Sequence, residues 1–467
     1  MTVLDSYEIF YYFVVSSFLF FTFLANTIDV SVSVKKLVHR SEKKYPLVIF
    51  LTLRAIPLAI SALPFFNLLV RGITLVFCIT PVFITIFIKI RLRTIKVQLP
   101  PLPYLHKGKL FLGTVKSSIL TKRFYLPERD LQRHMFITGL TGMGKSNLVK
   151  HLLCQISEKY PSIPFLLVEF KGEYKDIVSQ LGHVDVYRPG ESLKINIFNP
   201  LGENPKIHAE KIMNMLSSCQ IITFQDEFSS QMEKIFVEIL YSVCLDKNRR
   251  NWDGFEHYLE VYKQKNQSKY YNLNNTLCSI ENRIRRIKTG PLRSIFDEEL
   301  NLNLHNLIKT NVIIDLSSII QKGGTKNDAV FFSNMLFNHI WLRNLKKGPS
   351  SEINHFTLIE DSQFLLSQKA SNKTVTSSHL EDFALLLRGT GECLITINTR
   401  PTISEDVMAN AGVIISFQLN FDQNLMGKLL GLGEKKKFYL THLDIGECII
   451  KTNSVPAPFM LKVPLVN

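Results

Sequence analysis

His134-Met-Phe-Ile-Thr138 runs directly into Gly139-Leu140-Thr141-Gly142-Met143-Gly144-Lys145-Ser146-Asn147, and Asn147 to Tyr160 then keeps a helical pattern. A short apolar run, a glycine-rich octet and a helix in that order are the strand–loop–helix context of a phosphate-binding loop. Glycines let the backbone bend tightly, so its N–H groups and the start of the following helix face the phosphates. In such a loop Lys145 reaches the outer phosphates as a point charge, and the Ser146 hydroxyl is placed for Mg²⁺. The expected nucleotide contacts are therefore Gly139 through Asn147, with ATP and Mg²⁺ as the cofactors.

A loop of this kind needs a carboxylate on a neighbouring strand to hold the metal and orient water. Three apolar runs end in acid: Phe165-Leu-Leu-Val-Glu169, Val312-Ile-Ile-Asp315 and His355-Phe-Thr-Leu-Ile-Glu360-Asp361. The third alone ends in two consecutive acids, so one can serve the metal while the next polarises the attacking water. Glu360 is the preferred metal-side residue and Asp361 its companion. Asp315 fits a strand end leading into a turn better than a catalytic role.

Outward from this centre, composition sets the frame. The chain has 467 residues and a formal net charge of +15, which points to an anionic partner, nucleic acid or membrane surface. Its seven cysteines form no C-x-x-C pair and no metal-ligand spacing, which fits reduced thiols facing a cytosol. No zinc finger or basic zipper is present, so any grip on nucleic acid is expected to be electrostatic and sequence-independent.

The N-terminal region, residues 1–98, is different in kind. Residues 9–28 hold no charge, residues 46–68 are apolar apart from Arg54, and residues 72–88 form a third uncharged run. A helix needs about 20 apolar residues to cross a bilayer. Basic residues Lys35, Lys36, Arg40, Lys43 and Lys44 follow the first run, and Lys89, Arg91, Arg93 and Lys96 follow the third. Three spans put both basic stretches on the cytoplasmic side, as basic loops prefer, whereas two would separate them. The expectation is a multi-pass anchor in the inner membrane with the remainder of the chain in the cytoplasm. Leu99-Pro100-Pro101-Leu102-Pro103 reads as a stiff linker.

The order of further segments resembles the HerA/FtsK superfamily of P-loop motors, which includes conjugative coupling proteins and type IV secretion ATPases. Val168-Glu169-Phe170-Lys171-Gly172-Glu173-Tyr174 is similar to its D-x-K-G-E segment, with Glu169 in place of aspartate. Leu193-Lys-Ile-Asn196-Ile-Phe-Asn199-Pro200 resembles its N-P turn, and Leu358-Ile-Glu360-Asp361-Ser362-Gln363 its v-E-E-A-H form of Walker B. Leu394-Ile-Thr-Ile-Asn398-Thr399-Arg400-Pro401 resembles the T-Q-R-P segment, with Thr399 at the sensor glutamine position, and Gly446-Glu447-Cys448 the late hairpin. The likeness runs from about residue 110 to 463.

This resemblance implies an α/β fold: a RecA-like ATPase core over residues 99–223 and 294–467, interrupted by an all-helical insertion at 224–293. It implies a homo-hexamer in which an arginine from the neighbouring subunit completes the site. Arg388 is one candidate, and a helix-end arginine bonding the last carbonyls is the equal alternative; Arg400 is the second candidate. Within the insertion, Asn282-Arg283-Ile-Arg285-Arg286-Ile-Lys288 is a basic stripe that suits either phosphate contact or a solvated helix face. The expected activity is DNA translocation driven by ATP hydrolysis, at a membrane and in contact with DNA-transfer or secretion machinery. The alternatives are an ATPase for protein secretion without DNA, and a membrane scaffold that binds nucleotide as a switch.

Overall fold

A computed structural model describes residues 100, 102–116, 121–219, 221, 228–290, 292–296, 306–366, 387–402 and 405–466, with short stretches between 8 and 79. The chain divides into two compact units, Met1–Lys96 and Val97–Asn467. In the first, the described residues are helical, and Val15 and Val70 form a small buried contact. Most of the three expected spans, and Arg54, lie outside the described residues; among those described, no helix is long and apolar enough to cross a membrane.

The second unit is built on one sheet. Its described strands are β1 (Leu110–Lys116), β2 (Thr121–Leu126), β3 (Met135–Thr138), β4 (Phe165–Glu169), β5 (Asp185–Tyr187), β6 (Val312–Asp315), β7 (Ser350–Ile359), β8 (Thr390–Asn398), β9 (Val413–Ser416), β10 (Glu447–Thr452) and β11 (Phe459–Lys462). They lie in the order β2-β1-β11-β10-β9-β3-β8-β7-β4-β6-β5. From β9 to β5 every pairing is parallel, and from β9 through β10, β11, β1 and β2 every pairing is antiparallel. The parallel half explains its own composition. Strands covered on both faces read as continuous apolar runs, and Met-Phe-Ile-Thr of β3 and Val-Ile-Ile-Ser of β9 are buried at every position.

Strands β3, β4, β6, β8 and β9 stop on polar residues at the same edge. Thr138 pairs in register with Asn398 on one side and Ser416 on the other, and Glu169 pairs with Asp315. Glu360 follows the last residue of β7. The carboxyl edge of a parallel sheet is where ligands bind in open α/β folds, and here it is lined with hydroxyl, amide and carboxylate groups.

Helix α1 (Lys145–Lys159) follows the glycine loop and buries Leu148, Val149, Leu152, Leu153 and Ile156 in the sheet's main core. The spacing is that of one helix face. Between β5 and β6 the described chain is largely helical: α2 (Pro205–Ser218), α3 (Ser230–Leu245), α4 (Trp252–Asn266) and α5 (Leu273–Lys288). Asn204, Ser229 and Asn251 cap the first three by accepting backbone N–H bonds. Phe198 meets Trp252 edge-to-face at 4.9 Å and Phe236 meets Phe255 at 6.0 Å, so these helices share an aromatic core with the Asn-Pro turn segment. Helix α6 (Lys326–Lys347) opens with a capping box between Thr325 and Asp328.

Candidate functional site

The glycine loop closes against two strands. Gly139 N–H donates to the Asn398 carbonyl at 3.2 Å, and Leu140 N–H donates to the Gln418 carbonyl at 2.8 Å. A Cβ at Gly139 would stand 2.5 Å from the Phe417 Cβ, so only glycine passes there. Gly144 caps α1 with φ of 108°, a conformation that favours glycine, and puts Lys145 and Ser146 in the first turn. Thr141, Gly142, Gly144, Lys145, Ser146 and Asn147 line a cleft of about 320 Å³ together with Lys171, Glu173, Glu360, Asp361, Ile397 and Thr399. Met143 packs partly buried against the core, with its carbonyl accepting from Gly446 N–H at 2.9 Å.

The chemistry gathers at Ser146. Its hydroxyl donates to Glu360 Oε1 at 3.0 Å and faces Glu173 Oε2 at 3.2 Å. Glu360 is buried and its Oε2 has no hydrogen-bond partner. Burial, then the charge of Glu173, push the Glu360 carboxyl up to about 7, against the Ser146 and Tyr174 hydroxyls. Lys145 donates to the Leu140 carbonyl at 3.1 Å; burial lowers its ammonium, and Glu360 and Asp361 oppose that shift. Asp361 has φ of 48°, in the left-handed region, and its two oxygens are engaged. Oδ2 pairs with Lys171 Nζ at 3.0 Å, and Oδ1 accepts from Gln363 at 3.2 Å. Burial works to lower the Lys171 ammonium, but the Asp361 contact outweighs it and holds the group above its ordinary value.

The other two acid-ended strands are occupied locally. Glu169 Oε2 accepts the backbone N–H groups of Lys171, Gly172 and Glu173 at 3.0, 2.6 and 3.2 Å, so it shapes the turn beyond β4. Asp315 Oδ1 accepts from Ser317 N–H at 3.0 Å, and Oδ2 lies 3.4 Å from Arg188 Nε. The strand-end reading of Asp315 is the one the contacts support.

Several expectations need amendment. The strand bearing Glu360 is not the neighbour of the loop strand: β8 lies between β3 and β7. That insertion carries Asn398 and Thr399 to the floor of the cleft. Asn398 is fully buried, with Oδ1 accepting from Ser362 Oγ at 2.7 Å, while Thr399 lines the cleft and receives Gln363 Nε2 at 3.2 Å. The Asn147 side chain is turned to the C-terminal segment, donating to the Pro464 carbonyl at 2.7 Å and accepting from Val466 N–H at 3.0 Å. Gly139 and Leu140 serve the cleft from behind it, through the backbone bonds above. Arg400 is exposed, with its guanidinium over the Phe421 ring at 5.3 Å, and does not line the cleft of its own chain. Arg388 belongs to a turn, Leu387–Gly389, that precedes β8 at the edge opposite Ser146, and its side chain is outside the described residues. Glu173 and Lys171 were missed as site residues; the Lys-Gly-Glu sequence after an acid-ended strand was the available signal.

A magnesium-bound nucleotide fits these residues. The Ser146 hydroxyl and the Glu360 carboxylate, with its unpartnered Oε2, form a metal-side pair, and the space beside Gly142 is open.

Residues 110–326 match a family model described as "Helicase HerA, central domain". That segment is a HerA-type domain of the P-loop ATPase class. A probable helicase of Methanocaldococcus jannaschii is 23% identical over 351 residues, covering 71% of this chain and 62% of the relative. The DNA double-strand break repair helicase HerA of Sulfurisphaera tokodaii is 26% identical over 385 residues, covering 76% of this chain and 69% of the relative. The chain thus spans less than two thirds of the first of these. Among solved structures, VirB4 of Thermoanaerobacter pseudethanolicus superimposes with a TM-score of 0.58 at 14% identity, covering 77% of this chain and 97% of VirB4. The plasmid coupling protein TrwB in complex with ADP and Mg²⁺ gives 0.54 at 10% identity, covering 79% and 93%. At such identities the likeness is one of fold.

Proposed function

We propose that this chain hydrolyses ATP to drive DNA through a homo-hexameric ring held at a membrane by the N-terminal region, with the ATPase unit in the cytoplasm. The observation that carries the catalytic part is the convergence of Ser146 and Glu360, 214 positions apart in the sequence, beside Lys145. The DNA part is supported by the HerA central-domain match, by the similarity to a DNA repair helicase, and by the net charge of +15. The membrane part is supported by the three uncharged runs and the basic stretches beside them.

Bound Mg²⁺ would supply charge neutralisation at the phosphates. The chain's own part is to hold and orient. The loop N–H groups and Lys145 would fix the phosphates, Ser146 and Glu360 would hold the metal side, and the backbone bonds of Gly139 and Leu140 anchor the loop. An arginine from an adjacent subunit, Arg388 or Arg400, would complete the site; the exposure of Arg400 favours it.

The test is ATP turnover by the full chain and by Lys145→Ala, with and without DNA, over a salt series. Lys145-dependent turnover that DNA stimulates and salt suppresses supports the proposal. Lys145-dependent turnover indifferent to DNA would move the cargo from DNA to protein, the secretion-ATPase reading.

A further inference from the structure

The geometry points to Glu173, not the Walker B companion Asp361, as the acid that takes the proton from the attacking water. This rests on the ATPase reading above and deepens it.

Three carboxylates surround the Ser146 end of the cleft, and their situations differ. Glu360 is buried and fixed, sharing the Ser146 proton. Asp361 has a side chain only 8% exposed, with Lys171 on one oxygen and Gln363 on the other. With both oxygens taken, Asp361 presents none to a water in the cleft. Glu173 is 41% exposed on the cleft wall, and Lys171 stands off at 3.9 Å.

The contact of Glu173 with Ser146 is the one that can yield. A serine hydroxyl carries a single proton, so Glu360 and Glu173 cannot both receive it. The shorter contact belongs to the buried, fixed acid. A Ser146 hydroxyl turned toward a bound metal would leave Glu173 facing the cleft with its backbone still held. That backbone is tied down by Glu169, which accepts three consecutive N–H groups ending at Glu173 itself. An acid with a rigid root and an exposed carboxylate on the cleft wall suits a general base.

In the proposed step the water oxygen bonds to the terminal phosphorus as the bond from that phosphorus to the bridging oxygen breaks. One water proton passes to Glu173, and ADP and inorganic phosphate leave. No oxidant, reductant or further co-reactant is required.

Single-turnover ATP hydrolysis and the affinity for a fluorescent ATP analogue with Mg²⁺ are measured on the full chain carrying Glu173→Gln, Asp361→Asn or Lys145→Ala. Glu173→Gln is expected to slow the chemical step by at least about a hundredfold while leaving analogue affinity within about threefold of wild type. Asp361→Asn is expected to lose less than about tenfold in rate. Glu173→Gln at the wild-type rate, with Lys145→Ala inactive, overturns the assignment alone. So does a loss of rate in Glu173→Gln that is matched by lost affinity. Absence of Lys145-dependent turnover in the wild type overturns the assignment together with the ATPase reading.

Discussion

The Ser146 hydroxyl lies 3.0 Å from the Glu360 carboxylate although 214 positions separate them in the chain. Ser146 lies in the first turn of the helix after β3 and Glu360 directly follows β7, and the parallel register of the sheet brings both to one edge. Lys145 sits in the same cleft, so its removal should affect ligand before fold. Lys145→Ala is expected to weaken ATP binding by about tenfold to a hundredfold, the loss of one charge-assisted contact to phosphate. Titration with a fluorescent ATP analogue measures this.

Glu360 makes the stability of the nucleotide-free protein pH-dependent. Its folded carboxyl is raised to about 7 from an ordinary 4.5, so between these values the folded state binds more protons than the unfolded state. Stability from this group is therefore fully present below about pH 4.5 and is lost as pH rises through about 7. Glu360→Gln, which carries no charge, should gain on the order of 2 kcal/mol over wild type at pH 8 without Mg²⁺ or nucleotide, and nothing at pH 4.5. Melting temperatures at the two pH values check the sign.

The basic stripe of α5 divides by function. Arg286 Nη2 donates to Asp328 Oδ2 at 2.6 Å, and Asp328 is wholly buried in the capping box of α6. Lys288 is tied to Glu281 and Glu256. Arg286→Ala strips a buried carboxylate of its counter-charge. The expected cost is about 2 kcal/mol, below the usual cost of breaking a buried pair because the guanidinium is half-exposed. Arg285→Ala, on the exposed face, should stay within about 0.5 kcal/mol of wild type. Urea unfolding of the two variants separates a structural arginine from a solvated one.

What the sequence discloses here follows the range of the interactions. The loop from Gly139 to Ser146, the strand before it and the helix after it are specified by contiguous residues, and all were readable. So was Glu360, because a strand ending in paired acids is also a local pattern. The insertion of β8 between β3 and β7 was not readable, since strand order is set by pairings between distant segments with similar apolar composition. Glu173 was hidden for a related reason: its place at Ser146 depends on Glu169 curling the turn, and Glu360-Asp361 already supplied the expected pair of acids. Arg286 looked like one member of a charge run until Asp328 supplied its partner from another helix.

The most direct test of the central claim is movement along DNA. Full-length protein is given ATP and biotin-ended DNA, single- or double-stranded, carrying streptavidin, and streptavidin release is followed with time. The account predicts ATP-dependent release that Lys145→Ala abolishes and rising salt suppresses. Sustained Lys145-dependent ATP hydrolysis with no streptavidin release from either form of DNA would contradict it.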